Sequence, residues 1–251
     1  MKQIIDYFDH AYVINLSDRT DRRRQIEKEF RRVGIELPGE KVEFFTATRP
    51  ADKGNFQDIG TRGCFNSHRS ILELAYRKRL RNVLVFEDDV SFRDVGAEFE
   101  QQLISQLAKN DWDIVFFGYA KPSDETLRGP LVRWPMDILG THFYGVSGKL
   151  VSTIVQYMNE CELRPRNHPD GGPMPMDGVY NHIRYIKPNI NFFISAPSLA
   201  YQRSSRTDIA EMHIFDKIIW LRPIMDGLRA FKHRLRIASD RKKIRRKVDK
   251  N

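Results

Sequence analysis

Along the chain, short apolar runs rich in Val, Ile and Phe alternate with stretches whose apolar residues recur every three or four positions. The first kind reads as buried strands and the second as amphipathic helices. Ala11-Tyr12-Val13-Ile14-Asn15-Leu16 predicts a first strand, followed by a charged helix over residues 21–33 that Gly34 stops. A second strand is expected over residues 42–46, and the polar segment 51–63, with Gly54, Gly60 and Gly63, reads as a loop. Ser67 is placed to cap a helix running through Ala75, and Val83-Leu84-Val85-Phe86 is a strand leading straight into Glu87-Asp88-Asp89. The pattern then predicts a helix over 95–109, a strand over 113–117 and an excursion over 120–139, which Pro122, Gly129 and Pro135 interrupt. A strand over 143–146, a helix over 148–158, a Pro/Gly-rich loop over 165–175, a short helix over 177–185 and a last strand near 190–194 complete it. This alternation specifies an α/β domain, with a mostly parallel sheet flanked by helices.

A chain of 251 residues can bury one sizeable α/β core or two small ones. The net charge of +9 is unevenly spread. Residues 217–251 hold 13 basic and 3 acidic residues, which leaves 29 basic and 30 acidic residues in 1–216. The expected organisation is therefore a balanced domain over 1–216 and a basic tail over 217–251. Cys64 and Cys161 could pair, but they supply neither a disulfide framework nor a zinc-ligand cluster, so a reducing compartment is expected. The first ten residues carry Lys2, Asp6 and Asp9 and do not read as a secretory signal. No uninterrupted apolar stretch approaches membrane-spanning length.

Three carboxylates directly after an apolar strand form the main chemical signal. Ligands of open α/β sheets sit beyond the carboxyl ends of the strands. On extended backbone, residues 87 and 89 point to one side and 88 to the other, so Glu87 and Asp89 can converge. Crowded carboxylates stay ionised only if a cation neutralises them, and oxygen ligands of this kind suit Mg²⁺ or Mn²⁺. The alternative is a solvated acidic turn.

Other candidates each have a structural and a functional reading. Arg19, Arg22, Arg23 and Arg24 follow the first strand, where they could meet a phosphate or form a solvated helix face. His68 could be a structural hydrogen-bonding residue or a base, and Cys64 reads as a small buried hydrophobe. Asp177, after Pro173-Met174-Pro175-Met176, is either a helix N-cap or a general base. Gln202 and Thr207-Asp208 follow the last strand, and either could stabilise a turn.

Taken in order, Tyr12-Val13-Ile14-Asn15-Leu16 with Arg19 and Arg22, Gly60…Gly63-Cys64 with Ser67-His68, Val85-Phe86-Glu87-Asp88-Asp89-Val90, Gly140…Tyr144, Pro175-Met176-Asp177 and Gln202…Thr207-Asp208-Ile209 resemble glycosyltransferase family 25. That family includes lipooligosaccharide glycosyltransferases and procollagen galactosyltransferases, and the resemblance covers about residues 10–210. It implies a GT-A-type fold, a nucleotide-diphosphate sugar donor such as a UDP-sugar, a divalent metal (usually Mn²⁺, with Mg²⁺ the alternative) and inversion at the anomeric carbon. Carried onto this chain, Asp89 and Glu87 would hold the metal. Asn15, Leu16, Arg19, Arg22, Ser67, His68, Glu87, Asp88, Gln202 and Asp208 would border the donor, and Asp177 would be the base or an acceptor contact. Two departures stand out. Ala47-Thr48-Arg49-Pro50 replaces the usual Ala-x-Asp-Gly, and Thr207-Asp208-Ile209 replaces Ser-Asp-Ile.

The expected activity is transfer of a hexose, galactose or glucose, to a hydroxyl of a glycan or glycolipid such as lipopolysaccharide. A metal-dependent nucleotidyl- or phosphotransferase, or a non-catalytic membrane-associated homologue, are the competing readings. In the tail, Ile224, Met225, Leu228, Phe231 and Leu235 recur at helical spacing, with Arg222, Arg229, His233 and Arg236 on other faces. This basic amphipathic C-terminal helix implies docking on an anionic membrane surface, and nucleic acid is not an expected partner. The resulting expectation is a cytoplasmic protein, peripheral at the inner face of the cytoplasmic membrane.

Overall fold

The computed structural model describes residues 1–120, 127 and 129–203. The expected tail helix, the boundary at 216/217 and Asp208 lie outside those residues. The elements in chain order are α1 (Lys2–Tyr7), β1 (His10–Asn15), α2 (Thr20–Arg32), β2 (Val42–Thr46), α3 (Ile59–Arg77), β3 (Asn82–Glu87), β4 (Val90–Phe92), α4 (Ala97–Lys109), β5 (Ile114–Gly118), β6 (Val132–Arg133), β7 (Phe143–Ser147), α5 (Gly148–Leu163), α6 (Met176–Ile186), β8 (Phe192–Ile194) and β9 (Ala200–Gln202).

The strands form one sheet in the order β2-β1-β3-β7-β5-β8-β6, while β9 pairs with both β5 and β4. Six of these nine described strands share one direction; β4, β6 and β7 oppose them. This is the mostly parallel, helix-flanked α/β arrangement expected of a GT-A-type fold.

Strand parity divides the core into two layers. Val83 and Val85 of β3, Ile114 and Phe116 of β5, and Tyr144 and Val146 of β7 pack on one face with α3, α5 and α6. Leu84 and Phe86, Val115 and Phe117, and Phe143 pack on the other with α1, α2 and α4. All of these strand residues are fully buried, which is why β3 and β5 show continuous apolar runs and no alternation. By the same parity Glu87 belongs to the α3 side of the sheet.

Most predicted elements are present with shifted ends, and Gly34, at φ 76°, follows the end of α2 as expected. Three differences affect the site. Helix α3 starts eight residues before Ser67, so part of the expected 51–63 loop is helical. Its cap is Asp58, whose carboxylate accepts from the Thr61 N–H at 2.7 Å and from the Thr61 hydroxyl at 3.0 Å. Ser67 lies mid-helix, fully buried. Its hydroxyl donates to the Gly63 carbonyl at 2.6 Å and accepts from the Thr48 N–H at 2.8 Å, tying the β2–α3 connection to the helix. Residues 88 and 89 form a turn into β4 and do not extend β3. The sequence pattern also missed α1, β4, β6 and β9, all very short.

Glycine at position 63 is required by a close approach. A Cβ there would stand 2.7 Å from the Thr48 carbonyl oxygen. Because Thr48 is held by Ser67, the carbonyl has little room to retreat. Gly63→Ala is expected to lose about 1–2 kcal/mol of stability despite Ala's better helix propensity. Urea unfolding of the variant against the parent protein measures it.

Candidate active site

Sheet register brings the carboxylates together with their partners. β1 and β3 are parallel with Ile14 opposite Glu87, so Asn15 at the end of β1 lies beside Asp88. The Asn15 side chain donates to Asp88 Oδ2 at 2.8 Å, and Arg22, one turn into α2, donates to Asp88 Oδ1 at 2.8 Å. Asp88 is thereby committed to fixing the turn against β1 and α2. Arg22 also stands 3.9 Å from Asp89. β4 pairs with β9 so that Val90 faces Gln202, and the Gln202 amide donates to both Glu87 Oε2 and Asp89 Oδ2 at 3.2 Å. The expected convergence of Glu87 and Asp89 is present, reached through a turn and not along extended backbone.

The pair is electrostatically crowded. Burial, then the charge of Glu87, pushes the Asp89 carboxyl up to about 7, against the opposing pull of Arg22. Burial also works to raise Glu87, but the facing His68, with His142 and Arg22, outweighs it and holds Glu87 below its ordinary value. Asp89 Oδ1 is buried with no hydrogen-bond partner. An orphaned carboxylate oxygen beside a second carboxylate is costly in protein alone. It is the donor set a hard divalent cation takes, so Glu87 and Asp89 fit the implied metal.

Beneath this pair, α3 contributes a second group. His68 is fully buried, and its Nδ1 is 2.7 Å from the Tyr144 hydroxyl on β7. Its Nε2 lies 3.7 Å from Glu87 Oε1, within ion-pair reach, and makes no hydrogen bond. Cys64, one turn earlier on α3, is close enough for one ligand atom each of Cys64, His68 and Glu87 to lie within 4.8 Å of one another. Burial, followed by the charges of Glu87, Asp177 and Asp89, pushes the Cys64 thiol well up. Both cysteines are free. From the other side, β7 runs antiparallel to β3, and the Glu87 N–H donates to the His142 carbonyl at 2.9 Å. His142 is buried, which lowers its pKa against the opposing charge of Glu87.

Asp177 sits in the first turn of α6, half-buried, and is not the N-cap, a position that Pro175 occupies. Its Oδ1 accepts from the Gly178 N–H at 2.9 Å and its Oδ2 weakly from the Gly140 N–H at 3.4 Å. Its charge acts on Cys64 together with those of Glu87 and Asp89, which puts it in the neighbourhood of that cluster.

Thus Asn15, Arg22, His68, Glu87, Asp88, Asp89 and Gln202 gather at one sheet edge, with Asp177 on its flank. Other candidates have structural duties. Ser67 ties a loop to α3. The Leu16 carbonyl accepts from the Arg19 N–H, and the Arg19 guanidinium pairs with Asp21 at 3.0 Å. Arg23 stacks on Phe44, 4.1 Å from its ring centroid, and pairs with Glu27. Residues missed from the sequence are His142, Tyr144 and Cys64 as neighbours of Glu87. Only the adjacency of β7 to β3 and the true start of α3 reveal them.

Residues 8–122 match the model of "Glycosyltransferase family 25 (LPS biosynthesis protein)". A "Glycosyltransferase 25 family member" of Drosophila melanogaster is 29% identical over 136 residues, 47% of this chain and 22% of that protein. "Procollagen galactosyltransferase 1-A" of Xenopus laevis is 25% identical over 163 residues, 58% of this chain and 27% of that one. A rat protein described as "Probable inactive glycosyltransferase 25 family member 3" is 30% identical over 136 residues, 47% of this chain and 24% of that one. The chain spans about a quarter of the length of these relatives. The matched segment holds β1, α2, α3 and the whole Glu87–Asp89 turn, and over residues 8–122 this chain is similar to glycosyltransferase family 25.

Proposed function

We propose that the chain is an inverting, metal-dependent glycosyltransferase that moves a hexose, galactose or glucose, from a nucleoside diphosphate sugar such as a UDP-sugar to a hydroxyl of a surface glycan or glycolipid. The observation carrying this reading is the close Glu87–Asp89 pair, with Asp89 buried and one of its oxygens without a hydrogen bond, at the carboxyl edge of a sheet whose segment 8–122 is similar to family 25. Asp89 and Glu87 would hold the ion, Mn²⁺ or Mg²⁺. When bound, it offsets charge on the departing diphosphate.

The chain's own residues have separable tasks. Asp88, gripped by Asn15 and Arg22, keeps the turn rigid. Arg22, at the start of α2, adds positive charge where the diphosphate would lie, reinforced by the helix N-terminus. Asp177 takes the proton of the acceptor hydroxyl as that oxygen attacks the anomeric carbon from the face opposite the diphosphate. Docking on an anionic membrane, and with it a cytoplasmic location at the inner face, is proposed from the sequence of residues 217–251. No helix among the described residues is long and apolar enough to cross a membrane.

A screen of nucleotide sugars tests the reading. Manganese-stimulated release of free nucleoside diphosphate from one donor, without acceptor, is the expected result. Transfer of a nucleotide or phosphate would establish the rival chemistry. Absence of both hydrolysis and metal-dependent nucleoside diphosphate binding would favour a non-catalytic protein.

A further inference from the structure

A second cluster of ligand atoms lies directly under the carboxylate pair. Cys64 and His68 are spaced i, i+4 on α3, so they project from one helix face. That face meets the end of β3, where strand parity directs Glu87 towards it. The Cys64, His68 and Glu87 ligand atoms lie within 4.8 Å of one another, and small side-chain adjustments close that spread around one ion. His68 is fully buried, and its Nε2 makes no hydrogen bond and faces Glu87 Oε1 at 3.7 Å. Its Nδ1 is held by the Tyr144 hydroxyl at 2.7 Å, the outer contact that orients a ligating imidazole and leaves the other nitrogen for a metal.

We propose that Cys64, His68 and Glu87 form a binding site for a borderline-soft divalent cation of the Zn²⁺ or Co²⁺ type, distinct from the hard-ion pair Glu87–Asp89 and sharing one carboxylate with it. One thiolate, one imidazole and one carboxylate make a mixed S/N/O set that prefers such ions over Mn²⁺ or Mg²⁺. Binding releases the Cys64 thiol proton to solvent, and the cation supplies the countercharge a thiolate lacks among these carboxylates. Three protein ligands leave a fourth tetrahedral position open for water. Because Glu87 serves both sites, occupancy here competes with the Mn²⁺ of the proposed transferase. That consequence rests on the functional reading, whereas the site itself does not.

Titration of the metal-free, full-length chain with Co²⁺ tests the assignment optically. A thiolate-to-cobalt charge-transfer band in the near ultraviolet is expected, saturating at one equivalent. It should be lost in Cys64→Ala and in His68→Gln, each checked for folding by circular dichroism, and retained in Cys161→Ala and in Asp89→Asn. No band in the parent protein, or a band that survives Cys64→Ala, would overturn the site. Loss of the band in Asp89→Asn would overturn the three-ligand set. Metal-dependent donor binding is read separately, so failure of one proposal leaves the other standing.

Discussion

Asp89→Asn is expected to lower manganese-stimulated donor cleavage by at least about 100-fold while the protein stays folded. The size of the drop follows from the proposed role of Asp89 as a metal ligand, which would support several kcal/mol of charge stabilisation, with each 1.4 kcal/mol equal to about tenfold in rate. The fold persists because the substitution keeps the shape of a side chain that is 7% exposed and relieves carboxylate crowding. The Gln202 amide retains an oxygen acceptor at position 89 if the Asn carboxamide turns its carbonyl towards it. Calorimetry with a nucleoside diphosphate and Mn²⁺ should show the same defect in binding. Near-parental turnover would remove Asp89 from the metal site. A fall in thermal midpoint large enough to unfold the chain would instead reveal a structural role.

Asp177→Asn should lower kcat for sugar transfer by about 10²–10⁴-fold, the range for losing a positioned general base, with donor KM little changed. The backbone of α6 should hold, because the N-cap is Pro175 and Asp177 receives only neighbouring backbone N–H groups. Steady-state kinetics in both substrates separate the alternatives. A raised acceptor KM with kcat intact would make Asp177 an acceptor contact, and unchanged kinetics would remove it from the pocket's chemistry.

The parts of this arrangement that depend on local pattern were readable from the chain. The runs 11–16, 83–86 and 113–117 carry strands β1, β3 and β5 because most of their side chains are buried on both faces, and composition alone reports that. The convergence of Glu87 and Asp89 was also anticipated, although its backbone is a turn. What required coordinates was pairing between distant segments. Parity alone sets Asp88 apart from Glu87 and Asp89, and its partners are known only once the β1–β3 register sets Asn15 and Arg22 against it. His142 and Tyr144 gain meaning only once β7 lies beside β3. Ser67 was misread because a serine before an apolar helical run imitates a cap, whereas the true start at Asp58 precedes glycines that normally weaken a helix.

The reversed strand also bears on how such a protein can diversify. β5 ends and β7 begins at the same rim of the sheet, paired antiparallel, so the intervening segment leaves and re-enters at one mouth. Additions outside β6 and the buried Trp134 and Ile138 need no new crossover and leave the β6–β8 pairing intact. That stretch can be rebuilt to suit a different incoming partner, while the strand ends that carry Glu87 and Asp89 keep their geometry.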